Sequence, residues 1–272
     1  MRVILYPYGG LANRMRVIDS TVNMCRSCDC LSIIWYQDWG MKCGWTDLFL
    51  PVNFIYDRQM SKTMRRIFTY YQKNLVIKTL LLILYKLHIL YFCDMENASK
   101  IDEIRKNWGK YLYCIIRSWE AYYPQPQFHN ELFRLKDELR LNTELSKISK
   151  NTMGVHIRRT DNIWAIEHSP ICLFEERMKI ELEKNPLTDF YLCSDDQSVK
   201  EHFQLGIWKD KVTIPNGLLD RGSKDGIIQA ACEMYALSTT TKILGSYWSS
   251  FGEIAARLGN IEIEICTTSP KS

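Results

Sequence analysis

Residues 153–161 read Met153-Gly154-Val155-His156-Ile157-Arg158-Arg159-Thr160-Asp161. An apolar run of this length, closed by two adjacent arginines, reads as a strand of a parallel sheet covered on both faces. In an open α/β sheet, ligands bind beyond the carboxyl ends of the strands, which is where Arg158 and Arg159 fall. The planar guanidinium fork donates two parallel hydrogen bonds and so suits phosphate. An ordinary surface pair, Arg158 with Asp161, fits the same residues.

Downstream of this strand the α/β logic continues. Phe174–Glu183 has a helical pattern, and Phe190–Cys193 is a strand ended by Ser194-Asp195-Asp196. Val212–Ile214 is a short strand. Asp225–Ser238 is a helix whose apolar face is Ile227, Ile228, Ala231, Met234, Tyr235 and Leu237. Lys242–Leu244 is a strand, Phe251–Leu258 a helix, and Ile261–Cys266 closes the sheet. Upstream, Val3–Tyr6, a Gly9-Gly10 turn, a helix through Leu11, Met15, Val17, Ile18 and Val22, and the β-rich Leu31–Tyr36 form the first unit of an α/β fold. Ser61–Tyr91 looks mostly helical, as does the charged run Asn130–Ser149. Two prolines in Tyr122–Phe128 break the pattern. The expected domains are therefore 1–145 and 146–272, two Rossmann-like halves with a cleft between them.

Composition sets the limits. The chain has 272 residues, 46% of them apolar and 24% charged, a globular balance without bulk disorder. The net charge of +4 is too small to argue for nucleic acid. The opening MRVILYPYGG lacks a long apolar core and a small-residue cleavage site, so a cytoplasmic location is expected. The ten cysteines, including the run Cys25, Cys28 and Cys30, then read as free thiols rather than a zinc site. Leu75–Phe92 is apolar but interrupted by Lys78, Lys86 and His88, which argues against a membrane span. Residues 58–92 carry seven Lys or Arg and no Asp or Glu. A helix lying at the inner face of an anionic membrane fits this stretch, as does an internal helix whose lysines reach out to water.

Three further motifs follow strands. Gly245-Ser246-Tyr247-Trp248-Ser249-Ser250-Phe251-Gly252 can hold phosphate with helix-start N–H groups and Ser hydroxyls, or cap the helix plainly. Tyr8-Gly9-Gly10-Leu11-Ala12-Asn13-Arg14 lets a ligand approach the backbone closely. Asp195 and Asp196 could hold Mg²⁺, but a helix N-cap is the expected role. No GxSxG, HExxH or Walker P-loop is present.

Taken in order, these motifs resemble the GDP-fucose-dependent fucosyltransferases that share an HxRRxD-type motif: the α1,2- and α1,6-fucosyltransferases, the protein O-fucosyltransferases and the rhizobial chitooligosaccharide fucosyltransferase. His156-Ile-Arg158-Arg159-Thr-Asp161 resembles the first family motif and Tyr191-Leu-Cys-Ser194-Asp195-Asp196 the second. Glu233-Met-Tyr-Ala-Leu-Ser238 with Ser246–Ser250 resembles the third, and Gly9-Gly10-Leu-Ala-Asn13-Arg14 the N-terminal Gly-rich loop. The likeness covers roughly residues 150–260 and the first 15; residues 40–140 contribute little.

The resemblance implies a GT-B-type α/β fold with two facing Rossmann-like domains, and an inverting enzyme moving fucose from GDP-fucose to a hydroxyl of a glycan or lipid-linked glycan. It implies that Arg159, with Arg158 beside it, grips the donor pyrophosphate in place of a metal. His156 and Asp161 lie near the nucleotide, and Glu233 reads the guanine N–H donors. Ser249 and Ser250 touch the phosphates, while Gly10, Asn13 and Arg14 approach from the other domain. Glu167 is the expected base on the acceptor hydroxyl, with His168 and Asp161 as rivals. Transfer from another GDP-sugar, or sugar-nucleotide or glycan binding without catalysis, are the alternatives.

Overall fold

The computed structural model describes residues 1–95, 101–124, 127–141, 143, 145–217, 220 and 222–268. Gln125 and Pro126, part of the expected domain junction, lie outside the described residues. The chain forms two compact units, Met1–Arg134 and Leu135–Ser272.

The first unit holds β1 (Arg2–Pro7), α1 (Leu11–Met24), β2 (Cys30–Trp35), α2 (Trp45–Leu48), β3 (Ile55–Asp57), α3 (Lys62–Tyr70), α4 (Leu75–Lys86), β4 (Leu90–Met95), α5 (Ile101–Asn107) and β5 (Tyr113–Ser118). Its strands pair in parallel in the order β3-β2-β1-β5-β4. The second holds α6 (Asp137–Leu141), β6 (Thr152–Ile157), α7 (Ile163–His168), α8 (Ile171–Lys184), β7 (Asp189–Ser194), α9 (Gln197–Phe203), β8 (Val212–Thr213), α10 (Lys224–Ser238), β9 (Lys242–Ser246), α11 (Ser250–Gly259) and β10 (Glu262–Cys266). Its parallel order is β10-β9-β6-β7-β8.

In each sheet the first strand sits in the middle, and later strands are laid down first on one side and then on the other. The connections therefore leave in opposite directions from β6 and β9, and the chain that leaves β1 toward β2 comes back on the other side of β1 as β4 and then β5. These are topological switch points, where an open α/β sheet leaves a crevice at its carboxyl edge.

Every residue of β6 is buried. Met153, Val155 and Ile157 pack with Phe174, Met178, Phe190, Leu192, Phe203 and Leu244 in one core cluster. The opposite face is closed by α10 and α11, which pack tightly against each other. A Cβ on Gly259 would stand 1.9 Å from the Ser238 carbonyl oxygen, so only glycine permits that approach. In the first unit, Tyr6 meets the ring of Phe68 edge-on at 5.3 Å, in a cluster with Tyr36 and Met60.

One expectation needs revision, and two others gain detail. The charged run Asn130–Ser149 is not one helix: it breaks into a 3₁₀ turn at Asn130–Phe133, the short α6, and a second 3₁₀ turn at Leu145–Lys147. Leu132, Leu135 and Leu139 recur at helical spacing and are buried with Phe133, but the two ends of the run are drawn to different partners. Phe133 packs on Trp45 and Phe49, whereas Leu139 O accepts a contact from Cys232 Sγ on α10. The units divide between these residues, at Arg134/Leu135, which lies within the 122–150 region where the pattern places the junction and ahead of the 145/146 bound. Ser61–Tyr91 is mostly helical, as expected, in two helices, α3 and α4, before the chain enters β4. His88 takes a left-handed conformation (φ 55°) and turns the chain into β4, where pairing with β5 buries Tyr91 and Cys93. Among the described residues no helix is long and apolar enough to cross a membrane.

Candidate functional site

The crevice of the second unit lies between the turn after β6 and the turn after β9. The first turn is built around the arginines. Arg159 N donates to Asp195 Oδ1 (2.7 Å), and Thr160 Oγ1 donates to Asp195 Oδ2 (2.6 Å). Arg158 forms ion pairs with both Asp195 and Asp161. Asp195 thereby clamps a strained turn, since the β-branched Thr160 has φ 39°. Its neighbour Asp196 caps α9, accepting from Ser198 N (2.8 Å). Hydrogen bonds from the Ser198 side chain hold its carboxyl below the usual value. The strand-end acidic pair thus splits its work between the loop and the helix cap.

Arg159 is buried. Its Nη1 donates to Arg158 O (2.9 Å) and Ala165 O (3.4 Å), and its Nη2 to Ser169 O (2.8 Å). The guanidinium therefore ties the start of the turn to the end of α7, whose last carbonyls suit a cation. Burial lowers its pKa, and the charge of Asp196 opposes that shift. Arg158 has one exposed partner, Asp161 at 73%, and one shielded partner, Asp195 at 14%.

The serine turn is bonded to the arginine turn at four points. Arg158 N donates to Ser246 Oγ (2.9 Å), and Ser246 Oγ donates to His156 O (3.3 Å). Tyr247 N donates to Ser169 Oγ (2.8 Å), and Asn162 Nδ2 to Trp248 O (2.9 Å). Ser249 occupies the N-cap of α11 without a side-chain cap bond, and Ser250 opens the helix. A ten-residue helix starting beside two arginines offers N–H groups and a favourable dipole to an anion. His156 is buried and stacks on Phe251, ring centroids 4.7 Å apart.

The structure thus brings together His156, Arg158, Arg159, Asp161, Ser249 and Ser250. Glu233 is buried on α10, where its Oε1 accepts from Gln229 Nε2 (3.1 Å). Glu167 is exposed near the end of α7. Its neighbour His168 stacks on Trp164 at 5.6 Å and meets Tyr247 edge-on.

The first unit presents its own crevice at the β1/β5 switch point. Tyr8, Gly9, Asn13, Asp38, Trp39, Gly40 and Trp119 line a cleft of about 250 Å³. Gly9 has φ 83°, and a Cβ there would press on Asn13 at 3.3 Å, so the turn depends on glycine. Gly10 holds the N-cap of α1 in an extended conformation. Arg14 does not reach into open space: it is fully buried between the rings of Trp35 and Tyr36. It donates to Gly9 O (2.9 Å), Tyr36 O (2.7 Å) and Asp38 Oδ2 (2.8 Å). Its place is behind the glycine turn, bracing it and Asp38, while Asn13 faces the cleft.

Sequence reasoning missed the supporting shell. Ser169, Asn162, Asp38 and Trp119 carry no motif; only the chain's return over long sequence separations assembles them. Trp164 and Trp248 were also missed. Both are exposed, at 58% and 64%, and their rings stack 6.4 Å apart at 30°. Trp248 is held with φ 54°, a conformation a bulky residue avoids unless its surroundings impose it.

No family model and no curated protein matches the sequence. Solved structures do match. Arabidopsis thaliana FUT1, as a variant in complex with GDP, is 15% identical with a TM-score of 0.64, over 97% of this chain and 69% of that one. NodZ α-1,6-fucosyltransferase co-crystallised with GDP is 14% identical with a TM-score of 0.59, over 93% and 91%. POFUT1 in complex with GDP-fucose is 11% identical with a TM-score of 0.55, over 97% of each. The chain thus has the GT-B-type α/β fold of these solved structures. The expected fold class stands, and at this level of identity the likeness concerns the fold. What the chain does must come from its own residues.

Proposed function

We propose that the protein is an inverting glycosyltransferase that moves fucose from GDP-fucose to a hydroxyl of a glycan. The observation that carries this reading is the arginine turn at the β6/β9 switch point, cross-bonded to a serine turn that opens a helix. Phosphate at such a crevice meets Arg158, Arg159 and the first N–H groups of α11 together. The match to folds whose solved complexes hold GDP or GDP-fucose agrees with it.

Breaking the sugar–phosphate bond places growing negative charge on GDP and makes the sugar ring oxocarbenium-like. Arg158 and Arg159 neutralise that charge where it develops, in place of a metal. Arg158 exchanges the exposed Asp161 for a phosphate oxygen, while Arg159 keeps the loop in register and adds its remaining N–H donors. His156 flanks the nucleoside and Glu233 accepts from guanine.

Glu167 is the base on the acceptor hydroxyl. Glu167 is exposed three residues along α7 from Trp164, whereas Asp161 adjoins the arginines that take the diphosphate and His168 is stacked on Trp164. The exposed Trp164–Trp248 pair beside it supports a carbohydrate acceptor, because flat aromatic faces match the C–H faces of sugar rings. We place the enzyme in a reducing, cytoplasmic compartment, acting on a surface-glycan precursor. All ten cysteines are free, and burial pushes the Cys25 and Cys266 thiols up to about 12, so they are inert.

The test is turnover of GDP-fucose and GDP-mannose in excess EDTA, with a panel of oligosaccharide acceptors. Consumption of GDP-fucose is expected. Consumption of GDP-mannose alone moves the donor assignment. Consumption of neither, with GDP still bound, makes the protein a sugar-nucleotide binder. Activity restored only by Mg²⁺ or Mn²⁺ overturns the metal-free step.

A further inference from the structure

Helix α4 has no buried residue, although nine of its twelve side chains are Leu, Ile, Val or Tyr. Asn74 caps it, accepting from Ile77 N (3.1 Å), so it is a formed helix. Ile77, Leu81 and Leu84 are half-buried and make one narrow seam toward the unit, against β4 at the edge of the sheet. A second stripe faces water. Val76, Leu80, Ile83 and Leu87 recur at helical spacing and are 77%, 56%, 49% and 62% exposed. Leu112, 64% exposed, lies beside the end of the helix, where its N–H donates to His88 O. Four aligned aliphatic side chains with a fifth at their end exceed the scattered apolar residues of an ordinary surface.

The surrounding charge is of one sign. Residues 58–93 hold Arg58, Lys62, Arg65, Arg66, Lys73, Lys78 and Lys86 and no Asp or Glu. All seven are exposed. A second copy of this face would bring its own cations against them, whereas an anionic lipid surface complements both the stripe and the charge.

We propose that the outer stripe of α4 docks on an anionic membrane surface. The helix lies in the plane of the interface, with Val76, Leu80, Ile83, Leu87 and Leu112 toward the acyl boundary and the lysines and arginines among the headgroups. Twelve residues are too short to span a bilayer, so attachment is peripheral and reversible. This inference stands apart from the donor-site reading, though a lipid-linked acceptor would give it a purpose.

The test is co-sedimentation of the full chain with phosphatidylcholine vesicles, pure or containing about 30% phosphatidylglycerol. Binding is expected to the anionic vesicles only, and to fall steeply with added salt. The double variant Leu80→Asp/Ile83→Asp is expected to lose at least about tenfold in binding. Lys78→Gln/Lys86→Gln is expected to lose about tenfold or more. Both leave GDP titration and melting temperature unchanged, since these side chains are exposed.

Wild-type protein that ignores anionic vesicles, or a Leu80→Asp/Ile83→Asp variant that binds them like wild type, overturns the proposal. So does a concentration-dependent dimer that this variant dissolves, which would make the face a self-interface. Vesicle binding without any GDP binding would retain the docking surface and remove the donor site; GDP binding without vesicle binding does the reverse.

Discussion

Replacing Arg159 by alanine should cost the protein twice, once in stability and once in ligand affinity. The side chain is buried and donates to the carbonyls of Arg158, Ala165 and Ser169, two of them at 2.8–2.9 Å and one at 3.4 Å. Hydrogen bonds from a charged group are worth about 1.5–3 kcal/mol each, and the long one contributes little. Desolvation of the guanidinium offsets part of this, as its lowered pKa records. The net loss is therefore about 2–3 kcal/mol. For a unit of this size, each kcal/mol moves the midpoint by about 3–4 °C, so the second unit should melt about 6–12 °C lower. Loss of one charge-assisted phosphate contact should also weaken GDP by about 10²–10³-fold. Arg158→Ala should weaken GDP by a similar factor, but it too should lower Tm, because its pair with Asp195 is shielded, the side chains only 12% and 14% exposed; titration well below both midpoints separates affinity from stability. Differential scanning calorimetry and isothermal titration read both. An Arg159→Ala protein that melts and binds GDP like wild type would refute the reasoning, because neither the carbonyl contacts nor the anion site would then exist.

The remaining predictions can be checked singly. Glu167→Gln should keep GDP-fucose binding and lower turnover at least about tenfold; wild-type turnover removes Glu167 as the base. Gly259→Ala should destabilise by about 2 kcal/mol or more, since its methyl would stand against the Ser238 carbonyl oxygen; urea unfolding with an unchanged midpoint contradicts the α10–α11 contact. Burial works to raise the Glu175 carboxyl, but hydrogen bonds from His202 and Trp208 outweigh it and hold it below its ordinary 4.5. Its contribution is complete above that value and is lost as pH falls through the lower folded value. Glu175→Gln should thus be less stable than wild type near neutrality and converge with it toward pH 3. A gap that widens on acidification would reverse the sign.

The parts of the fold legible in the sequence were those marked locally. Met153–Ile157, Phe190–Cys193 and Lys242–Leu244 are apolar runs with turn residues at their ends, and each became a strand of the second sheet. The first sheet was half hidden. β4 lay inside an apolar stretch whose composition suits helix and strand alike, so only pairing with β5 could end the helix at Lys86. The charged segment after Asn130 hid its irregularity because tertiary packing of Phe133 and Leu139 overrides helical spacing. At the site, the residues that follow strands were found, and those that hold them were not. Asp195 looked like a metal ligand or a cap because nothing in sequence shows that the Arg159 N–H, 36 positions away, needs an acceptor. Arg14 looked like a ligand residue for the same reason: its commitment to the Tyr36 carbonyl and Asp38 exists only once β1 and β2 pair.

The most direct test of the central claim is isothermal titration of the purified chain with GDP, GDP-fucose, GDP-mannose and UDP-glucose in the presence of EDTA. The account predicts binding of the GDP compounds, none of UDP-glucose, and loss of GDP binding in both arginine variants. No binding of any nucleotide, or equal binding of GDP-fucose and UDP-glucose, would contradict a guanine-reading pyrophosphate site between the arginine and serine turns.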